Sequence, residues 1–66
     1  MNTTKEKING YDIVKIYKDK ELVEEQWYKD GILNRKDAPS IIKYRNGLPI
    51  EKHFYYFGVL YFLEKL

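Results

Sequence analysis

The sequence contains no cysteine and only one histidine, so it offers neither a disulfide framework nor a thiolate metal site. A chain of 66 residues buries only about 60% of the surface that its unfolded form exposes. A domain of this size therefore normally needs a disulfide, a structural metal or a partner for stability. His53 cannot hold a metal ion alone. We therefore expect a single domain with no metal and no cofactor, stabilised by side-chain packing or by a partner.

Long hydrophobic runs are also absent. The longest uncharged apolar stretch, Phe54 to Leu63, has ten residues, about half the length of a membrane-spanning helix. The N-terminal residues Met1 to Gly10 are polar and lack the apolar stretch of roughly 7–15 residues that a secretory signal needs. Because there is no cysteine framework either, the sequence predicts a cytoplasmic protein that does not bind a membrane.

Aromatic residues are the abundant class, with seven Tyr, three Phe and one Trp making up 17% of the chain. Each large ring can bury about 150–250 Å², so the rings can supply a core, or half of a core that a partner completes. The charges nearly balance, since twelve Lys and Arg against ten Asp and Glu give a net charge of +2. This excess is smaller than a dedicated nucleic-acid-binding domain usually carries.

The chain carries an internal repeat. Four segments resemble one another: Tyr17–Lys20, Tyr28–Gly31, Tyr44–Gly47 and Tyr55–Gly58. Their tyrosines are 11, 16 and 11 residues apart, which indicates a duplication with a period of 27 residues. A shift by 27 superposes five identical pairs: Tyr17 on Tyr44, Glu24 on Glu51, Tyr28 on Tyr55, Gly31 on Gly58 and Leu33 on Leu60. Each unit is therefore expected to have the same local structure.

The repeated unit contains a hairpin signal. The pair Asn46–Gly47 lies between β-rich runs, which is typical of a tight β-turn. A three-residue loop with a left-handed glycine pairs Ile42 with Ile50, apolar with apolar. A two-residue loop instead places Ile50 opposite Lys43. We expect the three-residue loop, because the hydrophobic pattern sets the register.

These patterns predict an all-β fold, an antiparallel β-hairpin meander of five or six short strands. The strands lie near Tyr11–Tyr17, Glu21–Tyr28, Ile32–Arg35, Ile41–Tyr44, Leu48–Tyr55 and Val59–Leu63. Residues 1–10 are expected to form a flexible N-terminal segment, and residues 11–66 a single β-hairpin-repeat domain. The alternative is β-hairpins plus a C-terminal helix over Ile50 to Leu66, which Gly58 and the β-branched Val59 disfavour.

Alternation along the strands divides the side chains between two faces. The inward face is predicted to hold Ile13, Tyr17, Val23, Trp27, Leu33, Ile42, Tyr44, Ile50, Phe54, Leu60 and Phe62. The other face is predicted to hold Tyr55, Phe57, Val59 and Tyr61 of the last hairpin, with Tyr28 and Ile32. A short sheet cannot cover both of its faces, so we expect this second face to be an exposed apolar patch or an interface.

One stretch resembles a known repeat family. The segment WYKDGILNRKDAPSIIKYRNG, Trp27 to Gly47, resembles the MORN-like variant repeat of bacterial and viral proteins, including YwqK-family antitoxins. The matching positions are Trp27, Tyr28, Gly31, Leu33, Arg35, Asp37, Pro39, Tyr44, Asn46 and Gly47. Asn34 replaces the family histidine, and Ala38 and Ser40 replace a glycine and an alanine. The resemblance covers about a third of the chain, and it implies β-hairpin repeats that bind macromolecules without catalytic residues.

The residues that could carry catalysis have simpler interpretations. His53 precedes Phe54 in a predicted strand and therefore lies on the surface, without a nucleophile at a catalytic spacing. Glu24 and Glu51 repeat at the 27-residue period and are expected to be cross-strand partners of lysine. Neither a phosphate-binding glycine loop nor a metal-ligand spacing is present. We expect that the protein is not an enzyme.

The sequence therefore predicts a small binding protein that inhibits or neutralises a protein partner stoichiometrically, as an antitoxin or a phage-encoded inhibitor of a host factor does. A second copy of the chain is one candidate partner. The partner-binding residues are expected to be Trp27, Tyr28, Tyr55, Phe57 and Tyr61, with Arg35 and Arg45 at the rim. The alternative is a single-stranded nucleic-acid-binding module, in which bases stack on exposed tyrosines and Lys29, Arg35, Lys36, Lys43 and Arg45 follow the phosphates.

Overall fold

The chain folds into one antiparallel sheet of seven strands joined mostly by tight turns, in a computed structural model that describes all 66 residues. The strands are β1 (Asn2–Ile8), β2 (Tyr11–Lys18), β3 (Glu21–Lys29), β4 (Ile32–Leu33), β5 (Ile41–Arg45), β6 (Leu48–Tyr56) and β7 (Val59–Lys65). Their order across the sheet is β1-β2-β3-β5-β6-β7, and the short β4 pairs with β3. The predicted all-β meander is confirmed, and the alternative C-terminal helix is not present.

Five two-residue turns connect the strands, and both residues of each turn have positive φ. The turns are Asn9-Gly10, Asp19-Lys20, Asp30-Gly31, Asn46-Gly47 and Phe57-Gly58. Two left-handed residues in succession are what a type I′ turn requires, and the twist of this turn matches that of the flanking strands. Arg45 pairs directly with Leu48, so the three-residue loop predicted around Gly47 is wrong.

A β-bulge follows three of these turns and resets the register of each hairpin. The unpaired residues are Val23, Ile50 and Tyr61, on the second strand of the hairpin in each case. Val23 and Ile50 are 27 residues apart, so both copies of the repeat carry the bulge. Beyond Ile50, the partner of Ile42 is Lys52 and not Ile50 as predicted. An extra residue changes which side chains share a face, and period-2 alternation cannot anticipate this.

The N-terminal segment forms a strand that the sequence analysis did not predict. Residues 1–10 were expected to be flexible, but β1 pairs with β2 over seven consecutive residue pairs without a register shift. The Asn9-Gly10 turn supplies the required positive φ values of 49° and 84°. All β1 side chains are exposed, so the main-chain ladder and a few cross-strand contacts hold this strand in place.

The sheet has almost no enclosed core. Only Ile13, Asn34 and Ser40 are buried, and of the eleven residues predicted to face inward only Ile13 is among them. Leu60 and Phe62 are 45% and 53% exposed. A sheet buries one face fully only when a second layer packs against it, and this chain supplies no second layer.

Candidate protein-interaction surface

One face of the sheet carries most of the large rings. Residues directly opposite each other on neighbouring strands have their side chains on the same face of the sheet. The pairs Ile13–Trp27 and Phe54–Phe62 therefore identify the face that carries the rings. We call it the aromatic face; its rings are Tyr11, Tyr17, Trp27, Tyr44, Phe54, Tyr56, Tyr61 and Phe62. Most of them are half-buried, because each ring packs against its neighbours on the face and no second sheet or helix covers them.

Two cations lie over rings on this face. The Arg35 guanidinium carbon is 3.5 Å from the centroid of the Trp27 ring, and the Lys29 ammonium is 5.6 Å from the centroid of Tyr11. The Tyr11 and Trp27 rings meet edge to face at 5.5 Å, so the four side chains form one cluster. Burial lowers the pKa of Arg35, although a guanidinium remains charged in proteins. The indole Nε1 of Trp27 is buried and has no hydrogen-bond partner.

A seven-residue loop, the 34–40 loop, holds Arg35 over the tryptophan. Arg35 Nη1 donates a hydrogen bond of 3.1 Å to the Pro39 carbonyl, which fixes the side chain against its own loop. The Ser40 hydroxyl donates to the Tyr55 carbonyl at 3.2 Å, and the Ser40 carbonyl accepts from the Trp27 amide at 2.7 Å. This loop therefore joins β3 to β6, and Arg35 is positioned by the sheet on both sides.

Asn34 anchors the other end of the loop. Its side-chain oxygen accepts a hydrogen bond of 3.1 Å from the Phe57 amide, and the Leu33 carbonyl accepts one of 2.8 Å from the Gly58 amide. Asn34 and Ser40 are the two buried polar residues of the chain. Both stand where the sequence departs from the MORN-like pattern. The sequence analysis gave neither residue a structural role, because their hydrogen-bond partners lie far away in the chain.

An open cleft of about 500 Å³ lies beside the 34–40 loop. It is lined by Arg35, Lys36, Asp37, Tyr56, Val59 and Tyr61. Two cations and one carboxylate therefore border a floor of aromatic and aliphatic side chains. Lys36 and Tyr56 are lining residues that the sequence analysis did not place in a protein-binding site.

The edge strand β7 presents five consecutive large apolar residues to solvent. Residues Val59, Leu60, Tyr61, Phe62 and Leu63, which we call the β7 strip, are 44–65% exposed. Because of the bulge, Tyr61 lies on the same face as Phe62, and both rings contact Phe54, with centroids 6.1 and 5.5 Å away. Leu60 pairs with Tyr55 on the opposite face. The sequence analysis had placed Leu60 with Phe62 and Tyr61 opposite them.

The predicted partner-binding residues do not form one patch. Trp27, Arg35 and Tyr61 lie on the aromatic face or at the cleft, and Phe57 is 65% exposed at the adjoining turn. The others lie elsewhere: Tyr28 and Tyr55 on the opposite face, and Arg45 beside the turn at the opposite end of the sheet. The candidate surface is therefore the cluster around Trp27 and Arg35 together with the β7 strip.

The ionisable groups with shifted pKa values are distributed along the sheet. A hydrogen bond from His53, whose Nε2 lies 2.6 Å from the carboxylate, lowers the pKa of Glu51. Burial, with Glu25 beside the hydroxyl, raises the pKa of Tyr44. Lys43 on β5 is directly opposite Glu24 on β3 and Glu51 on β6. No ion pair joins Lys43 to either glutamate. The lowered pKa of Glu51 is thus explained by its neighbour His53, and the raised pKa of Tyr44 chiefly by burial.

The structure contains neither a cluster of metal-binding side chains nor a helix that could span a membrane. No group of three or more acidic or histidine side chains is arranged to hold a metal ion. No helix in the chain is long and apolar enough to cross a membrane.

Comparison with protein-family models, with curated proteins and with solved structures found no match to this chain. The resemblance to MORN-like repeats thus rests on the residues of Trp27 to Gly47 themselves.

Proposed function

We propose that this protein is a non-catalytic, cytoplasmic binding module that inhibits or neutralises a protein partner stoichiometrically, as an antitoxin or a phage-encoded inhibitor does. The observation that carries the proposal is the uncovered aromatic face, continued by the β7 strip. Contiguous apolar surface of this kind on a small protein usually marks an interaction site. A partner would complete the core that the single sheet leaves open.

The composition of the surface favours a protein partner. Trp, Tyr and Arg dominate the energetic centres of protein interfaces, and the stack of Arg35 on Trp27 supplies two of them together. The 34–40 loop fixes Arg35 before binding, which reduces the entropy lost when a complex forms.

The non-catalytic part of the proposal rests on where the reactive groups lie. Of the four groups with shifted pKa values, only Arg35 lines the cleft. Glu51 and His53 bond to each other, and no serine, threonine or tyrosine hydroxyl bonds to that pair. The cleft therefore offers charge and apolar area for recognition, and it holds no base beside a nucleophile.

Nucleic acid is the less favoured partner. Lys29 and Arg35 do lie over rings on the aromatic face, an arrangement suited to stacked bases and phosphates. Lys43 and Arg45, which were expected to extend the phosphate track, lie on the opposite face. Glu25, which accepts the Tyr44 hydroxyl at 3.2 Å, adds negative charge to the aromatic face.

Affinity capture from cells of the source organism tests the proposal. Immobilised wild-type protein is expected to retain one protein in near-equimolar amount, and Arg35→Glu is expected to lose it. Arg45→Glu is the matched control, because it makes the same charge change at the other end of the sheet. Retention of single-stranded oligonucleotide in a salt-dependent manner, with no protein in stoichiometric amount, would replace this proposal with the nucleic-acid alternative.

A further inference from the structure

The two edges of the sheet differ in how they are protected. The outer edges of β1 and β7 have no neighbouring strand, so their outward N–H and C=O groups are free to pair with another chain. Lys5, Glu6 and Lys7 are three consecutive charged residues on β1. Charged residues on an edge strand disfavour its pairing with another chain. The β7 strip has no charge from Val59 to Leu63. The edge at β7 is therefore the one suited to pairing.

We propose that β7 pairs antiparallel with β7 of a second copy of this chain, about a twofold axis perpendicular to the sheet. The two sheets then become one continuous sheet, with both aromatic faces on the same side. This goes beyond the proposed function, because the contact uses the main-chain groups at the edge of β7. The side chains of the aromatic face, with the cluster of Trp27 and Arg35, remain open to another protein on one side of the joined sheet.

Self-complementarity favours a second copy as the occupant. A twofold axis between Tyr61 and Phe62 places Leu60 opposite Leu63 and Tyr61 opposite Phe62, so that apolar residues of one copy meet apolar residues of the other on the same face. Pairing of β7 with β1 would instead place the strip beside Lys5, Glu6 and Lys7. That head-to-tail contact would also leave an edge open at each end and extend into filaments. The symmetric contact closes after two copies.

Charge complementarity at the ends of the strip supports the same arrangement. The chain forms three ion pairs, and none of them includes Lys36 or Glu64. Glu64 lies opposite Lys52, two residues along from the Phe54–Phe62 pair, and so projects from the aromatic face. Antiparallel pairing brings Glu64 of the second copy to the start of β7, where Val59 and Tyr61 line the cleft with Lys36. The second copy thus supplies a carboxylate to each cleft.

The contact is small, which sets the expected affinity. One exposed strand and one ion pair from each copy correspond to an interface at the low end of the size range, below about 1,200 Å². We expect a dissociation constant of roughly 1–100 µM for the wild-type protein. The apparent mass should then rise from 8.0 kDa toward twice that value as the concentration increases.

Sedimentation equilibrium with charge-exchanged variants tests the arrangement. Glu64→Lys and Lys36→Glu are each expected to weaken dimerisation about tenfold, since each change creates two like-charge contacts across the twofold axis. The double variant restores opposite charges and should return to within about threefold of wild type. Lys5→Glu on β1 is the matched control and should dimerise like wild type.

Cysteine cross-linking provides a second measurement that does not depend on those charges. The chain has no cysteine, so a single introduced thiol reports one contact. Oxidised Phe62→Cys is expected to give a covalent dimer, because the two copies of position 62 lie beside the axis on the same face, within the Cα separation that a disulfide allows. Thr4→Cys, at the middle of β1, should stay monomeric. A mass of 8.0 kDa at all concentrations, or cross-linking at Thr4→Cys and not at Phe62→Cys, would overturn the proposal.

Discussion

The Arg35 guanidinium stacks on the Trp27 ring at 3.5 Å, although the two residues belong to different segments of the chain. Trp27 lies in β3, whereas Arg35 lies in the 34–40 loop that leaves β4. The stack exists because Asn34 and Ser40 fasten that loop to β6 and to the turn after it. The candidate surface is thus assembled by two buried polar anchors.

Removal of the stacked cation should be visible in the fluorescence of the only tryptophan. Arg35→Ala uncovers one side of the Trp27 ring, so its emission should shift to longer wavelength and the free energy of unfolding should fall by about 1–2 kcal/mol. Urea unfolding followed by fluorescence measures both quantities. Arg45→Ala serves as the control and should change neither. If the emission maximum is the same in both variants, the stack does not exist in solution.

Loss of the Ser40 hydroxyl should loosen the 34–40 loop. Ser40 is fully buried, and its hydroxyl donates to the Tyr55 carbonyl. Ser40→Ala removes the hydrogen bond that the Tyr55 carbonyl accepts from this hydroxyl. The substitution is expected to lower the free energy of unfolding by about 1–2 kcal/mol. The amides of Arg35 and Phe57 should exchange faster with solvent. Thr4→Ala, on the exposed β1, should cost far less, and equal losses in the two variants would contradict the anchoring role.

The first repeat carries a strained turn that glycine should relieve. Lys20 has φ of 68° at the position where the other four turns have glycine. A left-handed conformation costs a non-glycine residue roughly 1–2 kcal/mol, and glycine's greater freedom in the unfolded chain offsets part of this. Lys20→Gly should therefore raise the unfolding free energy by about 0.5–1 kcal/mol. Lys18→Gly, inside β2, should lower it. Destabilisation by Lys20→Gly would argue against the two-residue turn.

Acid should remove the contribution of the Glu51–His53 pair. The hydrogen bond from His53 lowers the pKa of Glu51 in the folded state from its ordinary value of 4.5. A carboxyl with a lowered folded pKa stabilises the fold above its unfolded pKa, and the contribution is lost as pH falls through the folded value. Wild-type stability should therefore decline below about pH 4.5 more steeply than that of Glu51→Gln. Urea midpoints between about pH 3 and 6 compare the two slopes, and parallel slopes would rule out the pair.

Local turn chemistry made much of the fold predictable. Asn46-Gly47 and Asp30-Gly31 identify hairpins because few other residue pairs accept two positive φ values in succession. The same kind of pair stands at Asn9-Gly10, although β1 has no alternating apolar residues. Backbone pairing can extend a sheet without that alternation, and an exposed edge strand is where this occurs.

The bulges and the loop anchors were not predictable from periodicity. The bulge at Tyr61 places Leu60 and Phe62 on opposite faces of the sheet. The residues predicted to share one partner-binding patch therefore lie on both faces. Asn34 and Ser40 gave no polar pattern of their own. Their role depends on the carbonyl of Tyr55, 15 residues from Ser40, and on the amide of Phe57, 23 residues from Asn34.

Titration of Trp27 fluorescence with the captured partner tests the central claim most directly. If the aromatic face is the binding surface, the emission should change and saturate at one partner per chain, and Arg35→Glu should abolish the change while Arg45→Glu retains it. A partner that binds with full stoichiometry and leaves the Trp27 emission unaltered would contradict the claim that this face forms the interface.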